Sequence, residues 1–191
     1  SGNAGGTNAL RTQGIAFALG VVIIDIGKGF VGAGIVPGLE IPFVGTDTTV
    51  SRTWLTLACA SAAVFGHVWP IYHRFKGGKG AATFIGTLAA INASLIIPML
   101  IVWVIVLLIS GYVGLATMSA AVALPMWIGF TLLPAEHELF MYVTMIACFV
   151  IWWHRSNIQR MRDGSEHRNY GLMILGRKRR ADDRAEKDEQ P

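Results

Sequence analysis

Apolar residues fall in long runs along this chain, at residues 13 to 36, 53 to 72, 81 to 110, 112 to 134 and 138 to 153. Most approach the roughly 20 residues that a helix needs to cross about 30 Å of hydrocarbon, so the pattern predicts an all-α, polytopic helical membrane protein. Polar and charged residues gather in the intervals between the runs and after residue 153.

The intervals orient the helices. His73 to Lys79 carries Arg74, Lys76 and Lys79, and the stretch after Trp153 carries Arg155, Arg160, Arg162 and Arg168, which places both on the cytoplasmic side. Glu40, Asp47, Glu136 and Glu138 mark poorly basic connections, expected outside. Both assignments hold only if the chain crosses an odd number of times between Lys79 and Pro134. A single crossing would leave over fifty mostly apolar residues unplaced. Three crossings need a break inside residues 81 to 110, and Asn92 to Pro98 offers one, because Pro98 has no amide hydrogen and restricts the residue before it. A proline kink in one long tilted helix is the ordinary alternative. The expectation is six spans, two of them short.

Composition agrees with a bilayer setting. Of 191 residues, 53% are hydrophobic, and the mean hydropathy is +0.50, more apolar surface than a soluble domain of this length buries. Ten of the sixteen Lys and Arg residues follow His154, with seven of the twelve acidic residues beside them, so the net +4 is mostly local. Basic residues flanking apolar spans read as orientation signals rather than a nucleic-acid footprint. Cys59 and Cys148 lie within apolar runs without metal-ligand spacing, and neither a metal nor another cofactor is expected. The chain opens at Ser1 with no cleavable signal, and a further N-terminal span is expected to be missing. Residues 1–176 are expected to form one membrane domain, and 177–191 (RKRRADDRAEKDEQP) a charged, disordered tail.

Three polar clusters carry candidate chemistry, all predicted on one membrane face. The first, SGNAGGTNALR from Ser1 to Arg11, combines glycines, hydroxyls and amides with an arginine able to grip phosphate in a bidentate fork. A flexible loop with an orienting arginine is its bland reading. The second joins GHVWP at 66–70 to FKGGKGAAT at 75–83. A glycine-rich turn entering a helix would offer amide hydrogens and a helix dipole to an anion, with Lys76 and Lys79 adding charge. The GxxxxGK[ST] spacing of the nucleotide P-loop is missing. A plain basic turn is the competing reading, and His67 alone reads as a packed or interfacial histidine.

The third cluster is HRSNIQR at 154–160, followed by Gly164-Ser165-Glu166. On a continuing helix His154 and Asn157 share a face and can address one ligand. An aromatic and basic membrane boundary explains Trp152, Trp153, His154 and Arg155 but not Asn157. Within the first run Asp25 and Lys28 are spaced to pair on one face and read as a structural ion pair. A small transporter or channel is the alternative function, and it predicts polar residues recurring at the bilayer midplane, where here they are sparse.

Together, SGNAGGTNALR, DIGKG, GHVWP with FKGGKGAAT, and HRSNIQR with GSE resemble in order and spacing the signature segments of the PlsY family, bacterial acyl-phosphate:glycerol-3-phosphate acyltransferases. The resemblance runs from Ser1 to about Glu166 and implies a seven-span family fold whose first span is absent here. It implies acyl transfer from acyl phosphate to the 1-hydroxyl of glycerol 3-phosphate, giving lysophosphatidic acid and phosphate for phospholipid synthesis. The setting implied is the bacterial inner membrane, with the active site facing the cytoplasm and the enzyme that makes acyl phosphate as a partner. Ser1, Asn3, Thr7 and Arg11 would contact phosphate or the glycerol backbone. Lys79 and Lys76, with Gly77 and Gly78, would hold the acyl phosphate, and His154 and Asn157 would complete the catalytic group with Lys79. The chain departs from the family's serine-rich YVSLxS-type junction at Gly111 to Thr117 (GYVGLAT), where Thr117 keeps a hydroxyl and Gly114 and Ala116 do not. Neither the HxxxxD pair of thioester-using acyltransferases nor a GxSxG elbow is present, so transfer without an acyl-enzyme is expected.

Overall fold

The structure, a computed structural model, describes residues 5–40 and 49–174. The expected tail at 177–191 and the predicted site residues Ser1 and Asn3 lie outside the described residues. The described residues form eight α-helices, with no strand among them. They are α1 (Gly6–Gln13), α2 (Ile15–Gly34), α3 (Arg52–Val68), α4 (Ala81–Ile91), α5 (Ile96–Ser110), α6 (Val113–Thr131), α7 (His137–Trp153) and α8 (Arg155–Arg162).

Each of the six predicted apolar segments is a helix, although they are unequal in reach. Ile15–Gly38, Arg52–His73, Ala93–Ser110 and Val113–Thr131 are each long and apolar enough to cross a membrane, and α7 joins them if its 49° bend into α8 is one broken span. α4 has only 11 residues, about 16 Å of helix, and falls short of the hydrocarbon thickness. The predicted break inside 81 to 110 is real, but its cause differs from the expected one. Asn92 leaves the helix in an extended conformation, and its side chain accepts from Ser94 N–H at 3.2 Å, opening a single 3-10 turn over Ala93–Leu95. Pro98 instead sits in the first turn of α5, where a missing amide hydrogen costs nothing.

Close helix contact explains why so short a helix is held. A Cβ on Gly29 of α2 would lie 2.0 Å from the Thr83 carbonyl oxygen, and one on Gly86 of α4 would lie 1.9 Å from that of Ile26. Small residues let the two backbones touch, the usual means of helix association where lipid removes the hydrophobic drive. Gly34 meets Ala90 further along, so α2 and α4 run in the same direction. The buried Thr87 hydroxyl donates to the Phe84 carbonyl at 2.8 Å and accepts from Tyr142 at 2.7 Å, tying α4 to α7. Around them Val64, Leu88, Leu124, Ile128, Val143 and Ile146 form a fully buried core, while Phe17, Ile23 and Phe130 point outward as lipid-facing residues do.

The two-residue connection from α5 to α6 makes those helices antiparallel. The consequence is that α1, the turn before α4, the α5–α6 junction and α8 meet at one end of the bundle, as parity predicted.

Candidate active site

A cavity of about 370 Å³ opens at that end. Four helices begin on its wall: Gly5, Gly6 and Thr7 start α1, Gly80, Ala81 and Ala82 start α4, Val113 and Gly114 start α6, and His154 precedes α8. None of the four has a side-chain cap; the Asn8 and Asn157 amides already donate to the Gly5 and His154 carbonyls, and it is the amides ahead of them that no capping side chain occupies. Converging N-terminal dipoles make the cavity favourable to anions. Arg11, Lys79 and Arg160 add three cationic side chains to the lining.

One polar network crosses the cavity floor. Lys79 Nζ donates to Asn157 Oδ1, Asn157 Nδ2 donates to Glu166 Oε1 at 3.0 Å, and Arg160 Nε donates to Glu166 Oε2 at 2.6 Å. Glu166 is held in place because Arg168 Nε and the Asn169 amide donate to the Ser110 and Gly111 carbonyls, each at 2.8 Å, strapping the segment across the α5–α6 junction. Burial, then the Arg160 cation, lowers the Lys79 pKa to about 8. His154 lies just past the last residue of α7. Its Nδ1 is 2.8 Å from the Val150 carbonyl, which can only accept, so Nδ1 carries the hydrogen and Nε2 keeps a lone pair. Burial, then the Lys79 cation, pushes its pKa down to about 4, leaving the imidazole neutral near pH 7.

Of the predicted residues, Thr7, Arg11, Lys79, Thr117, His154 and Asn157 line this cavity together. Thr117 donates its hydroxyl to the Val113 carbonyl at 2.9 Å and accepts from Trp103 Nε1 at 3.2 Å, which leaves it no free hydrogen for a ligand. Lys76, Gly77 and Gly78 face an adjoining cleft of about 430 Å³ with Arg155 and Ser156. Lys79 and Arg160 border both spaces. The Gly77 and Gly78 amides donate to the Val68 and His67 carbonyls at 3.1 and 3.3 Å rather than standing free for an anion. These glycines are needed for space, since a Cβ on Gly78 would lie 2.0 Å from His67 Nε2.

Four ionisable lining residues were not among the predicted site residues: Asp25, His67, Arg160 and Glu166. Asp25 was read as the partner of Lys28, and that pair exists at 3.1 Å, but the carboxylate also meets His67 Nδ1 at 3.3 Å. Glu166 had a signal in its spacing after the HRSNIQR stretch, although only the fold shows it turning back under Asn157. Gly114, one of the two junction positions without a hydroxyl, faces Asn157. A Cβ there would lie 3.0 Å from Asn157 Nδ2, so Asn157 packs against bare backbone.

A second feature completes the site. An apolar cleft of about 300 Å³ shares Thr7, Val22, Ala81, Ala82, Val113 and Thr117 with the polar cavity and continues along Phe84, Ile85, Met99 and Trp103. A ligand with a charged head and a long hydrocarbon tail fits that pairing. Among the described residues no group of His, Cys, Asp and Glu could hold a metal ion.

Known proteins agree with this geometry. A family model described as Glycerol-3-phosphate acyltransferase matches residues 1–164. The glycerol-3-phosphate acyltransferase of Paraburkholderia phytofirmans is 37% identical over 183 residues, which is 95% of this chain and 78% of that protein. Its counterpart in Prochlorococcus marinus is 37% identical over 87% of this chain and 79% of its own. Two crystal structures of PlsY, an integral membrane glycerol 3-phosphate acyltransferase, share the fold. Its lysophosphatidic acid form matches with a TM-score of 0.74 and 30% identity over 87% of this chain and 79% of that one. Its glycerol 3-phosphate form matches at 0.73 and 32%, over 88% and 78%.

Proposed function

The chain belongs to the glycerol-3-phosphate acyltransferase family, and from that premise we propose that it moves a fatty acyl group from acyl phosphate to the 1-hydroxyl of glycerol 3-phosphate, releasing lysophosphatidic acid and phosphate. The observation that carries the reading is the junction of an anion-favouring cavity with an apolar cleft, around Thr7, Ala81 and Val113. Acyl phosphate has just that shape, a phosphate head on a hydrocarbon tail. The relatives are named for glycerol 3-phosphate, and the PlsY structures carry the names of that acceptor and of lysophosphatidic acid. The basic residues bordering the cavity suit the cytoplasmic face of a bacterial inner membrane.

Acyl phosphate is a mixed anhydride. The acceptor oxygen bonds to the acyl carbon, the bond from that carbon to the phosphate oxygen breaks, and the electron pair leaves with phosphate. Lys79, Arg11, Arg160 and the helix N-termini stabilise the anionic groups of both substrates and the departing phosphate. The hydroxyl proton needs an acceptor. At a pKa near 4 His154 is too weak a base to carry it far, so the attacking hydroxyl turns its hydrogen to an oxygen of a substrate phosphate, which takes the proton. Nε2 of His154 accepts from the neighbouring hydroxyl of glycerol 3-phosphate. No acyl-enzyme forms in this scheme.

The test is acyl transfer by the protein in lipid, with labelled glycerol 3-phosphate and either acyl phosphate or acyl-CoA as donor. Product from acyl phosphate alone is the expected result. Equal use of acyl-CoA, or no product from acyl phosphate, overturns the donor assignment. Acyl-enzyme trapped on Ser1 or Thr7 with acyl phosphate alone would sink the direct mechanism.

A further inference from the structure

Asp25 is a buried carboxylate within an apolar helix, 4% exposed, and an ion pair with Lys28 does not account for its placement. Lys28 reaches it from an exposed position, with a side chain 54% accessible, and would offset an acid equally well nearer the surface. The second partner, the His67 ring, is itself only 7% accessible. A carboxylate accepts and cannot donate, so His67 holds its Nδ1 hydrogen toward Asp25, and this fixes the ring plane. The opposite ring edge, Nε2 and Cε1, then bears on Gly78, where an added Cβ would lie 2.0 and 2.7 Å away. Main-chain bonds from Gly77 and Gly78 to the Val68 and His67 carbonyls hold the turn against the end of α3. Lys79 is the next residue, and its ammonium meets Asn157 in the cavity floor.

We propose that Asp25 and His67 are positioning residues: Asp25 locks the His67 ring, the ring braces the Gly77–Gly78 turn, and the turn aims Lys79 into the cavity. The contacts run unbroken from α2 through α3 and the turn to Asn157 of α8. This gives a reason for the costly buried charge, and a reason for two adjacent glycines whose amides are already bonded. It deepens the acyltransferase reading and, in its kinetic part, rests on it. Lys79 is faced by Arg11 of α1, Arg160 of α8, His154 and Glu166, none of which the brace touches.

The brace is tested by how Lys79 titrates, which needs no substrate. Purified protein in lipid is labelled with limiting acetic anhydride across pH, and modification at Lys79 is compared with exposed Lys76 by mass spectrometry. In the wild type Lys79 should label with a midpoint near 8. Asp25→Asn, His67→Ala and Gly78→Ala should each raise that midpoint by about one unit toward ordinary lysine, with Lys76 unchanged. The same variants should raise KM for acyl phosphate by about tenfold more than they lower kcat. Gly78→Ala is harmful beside the ring but fills the space left in His67→Ala, so the double variant should recover relative to His67→Ala. That recovery separates bracing from general loss of fold. A Lys79 midpoint unchanged in all three variants overturns the proposal, as does strict additivity of the double variant. A wild type without acyl transfer would sink the functional reading and leave the labelling result standing.

Discussion

The two ends of this bundle use the same kinds of polar residue in opposite ways. At the far end Arg52 Nη1 donates to the Pro37 carbonyl at 2.8 Å, joining the start of α3 to the turn after α2, and His137 sits 3.4 Å from its sequence neighbour Glu138 as an accessible pair at the rim. At the cavity end Asp25, His154, Asn157 and Glu166 are all buried, each tied to a residue of another element or to main chain. Rim pairs contribute little in water, whereas a buried group that loses its partner costs far more. Helix direction widens the contrast, because the cavity end gathers four N-termini around one space. The lesson is that an anion site is assembled here by chain direction as much as by cations.

The largest effects should therefore come from the cavity's cations. Lys79→Ala and Arg11→Ala are each expected to lower kcat/KM by at least about tenfold, roughly 1.4 kcal/mol or more of transition-state stabilisation, in protein that remains folded. Near-normal turnover would reduce these residues to orientation signals and erase the difference between the ends.

Next in size is a dependence on pH. Lys79 has a pKa lowered to about 8, so its charge is present below that value and lost as pH rises through it. A phosphate ligand prefers the charged form, and kcat/KM should fall on the alkaline side of about 8, approaching tenfold per unit if Lys79 alone is responsible. Lys79→Arg keeps its charge throughout that range, so its profile should lose this limb whatever its absolute rate. An unchanged limb in that variant would assign the titration elsewhere.

Much of the cavity end was legible beforehand, because its signals are local in the chain. Charge bias and crossing parity placed the polar clusters on one face, and the motifs with the family resemblance they carry singled out Thr7, Arg11, Lys79, His154 and Asn157, which do line one space. What was not legible depends on tertiary distance. Asp25 and His67 are 42 positions apart, and no periodicity joins residues on different helices. The bonding of the glycine turn is hidden for the same reason, since the carbonyls that occupy the Gly77 and Gly78 amides belong to α3. The break before α5 was expected from Pro98, the stronger local signal, yet Asn92 ends the helix through a side-chain bond to Ser94 and proline is harmless one turn later.

A smaller effect bears on the departure from the family's serine-rich junction. Gly114→Ser would bring a Cβ to 3.0–3.1 Å of the Asn157 side chain, close enough that Asn157 must shift by a few tenths of an ångström. The expected result is a loss of about threefold in kcat/KM with little change in melting temperature. A gain would mean that the missing hydroxyl limits this enzyme and that Asn157 has room to spare.

The smallest effect is expected at the far end, and it closes the comparison as a control. Glu138→Ala removes the partner of His137, whose side chain is 63% accessible, so the imidazole left behind is solvated by water. Stability should change by no more than about 0.5 kcal/mol and kcat/KM should stay within about twofold of wild type, read by thermal melting and the acyl-transfer assay. A larger loss would show that charge at this rim supports the fold as the buried network does. In that case the two ends would differ in exposure without differing in energy.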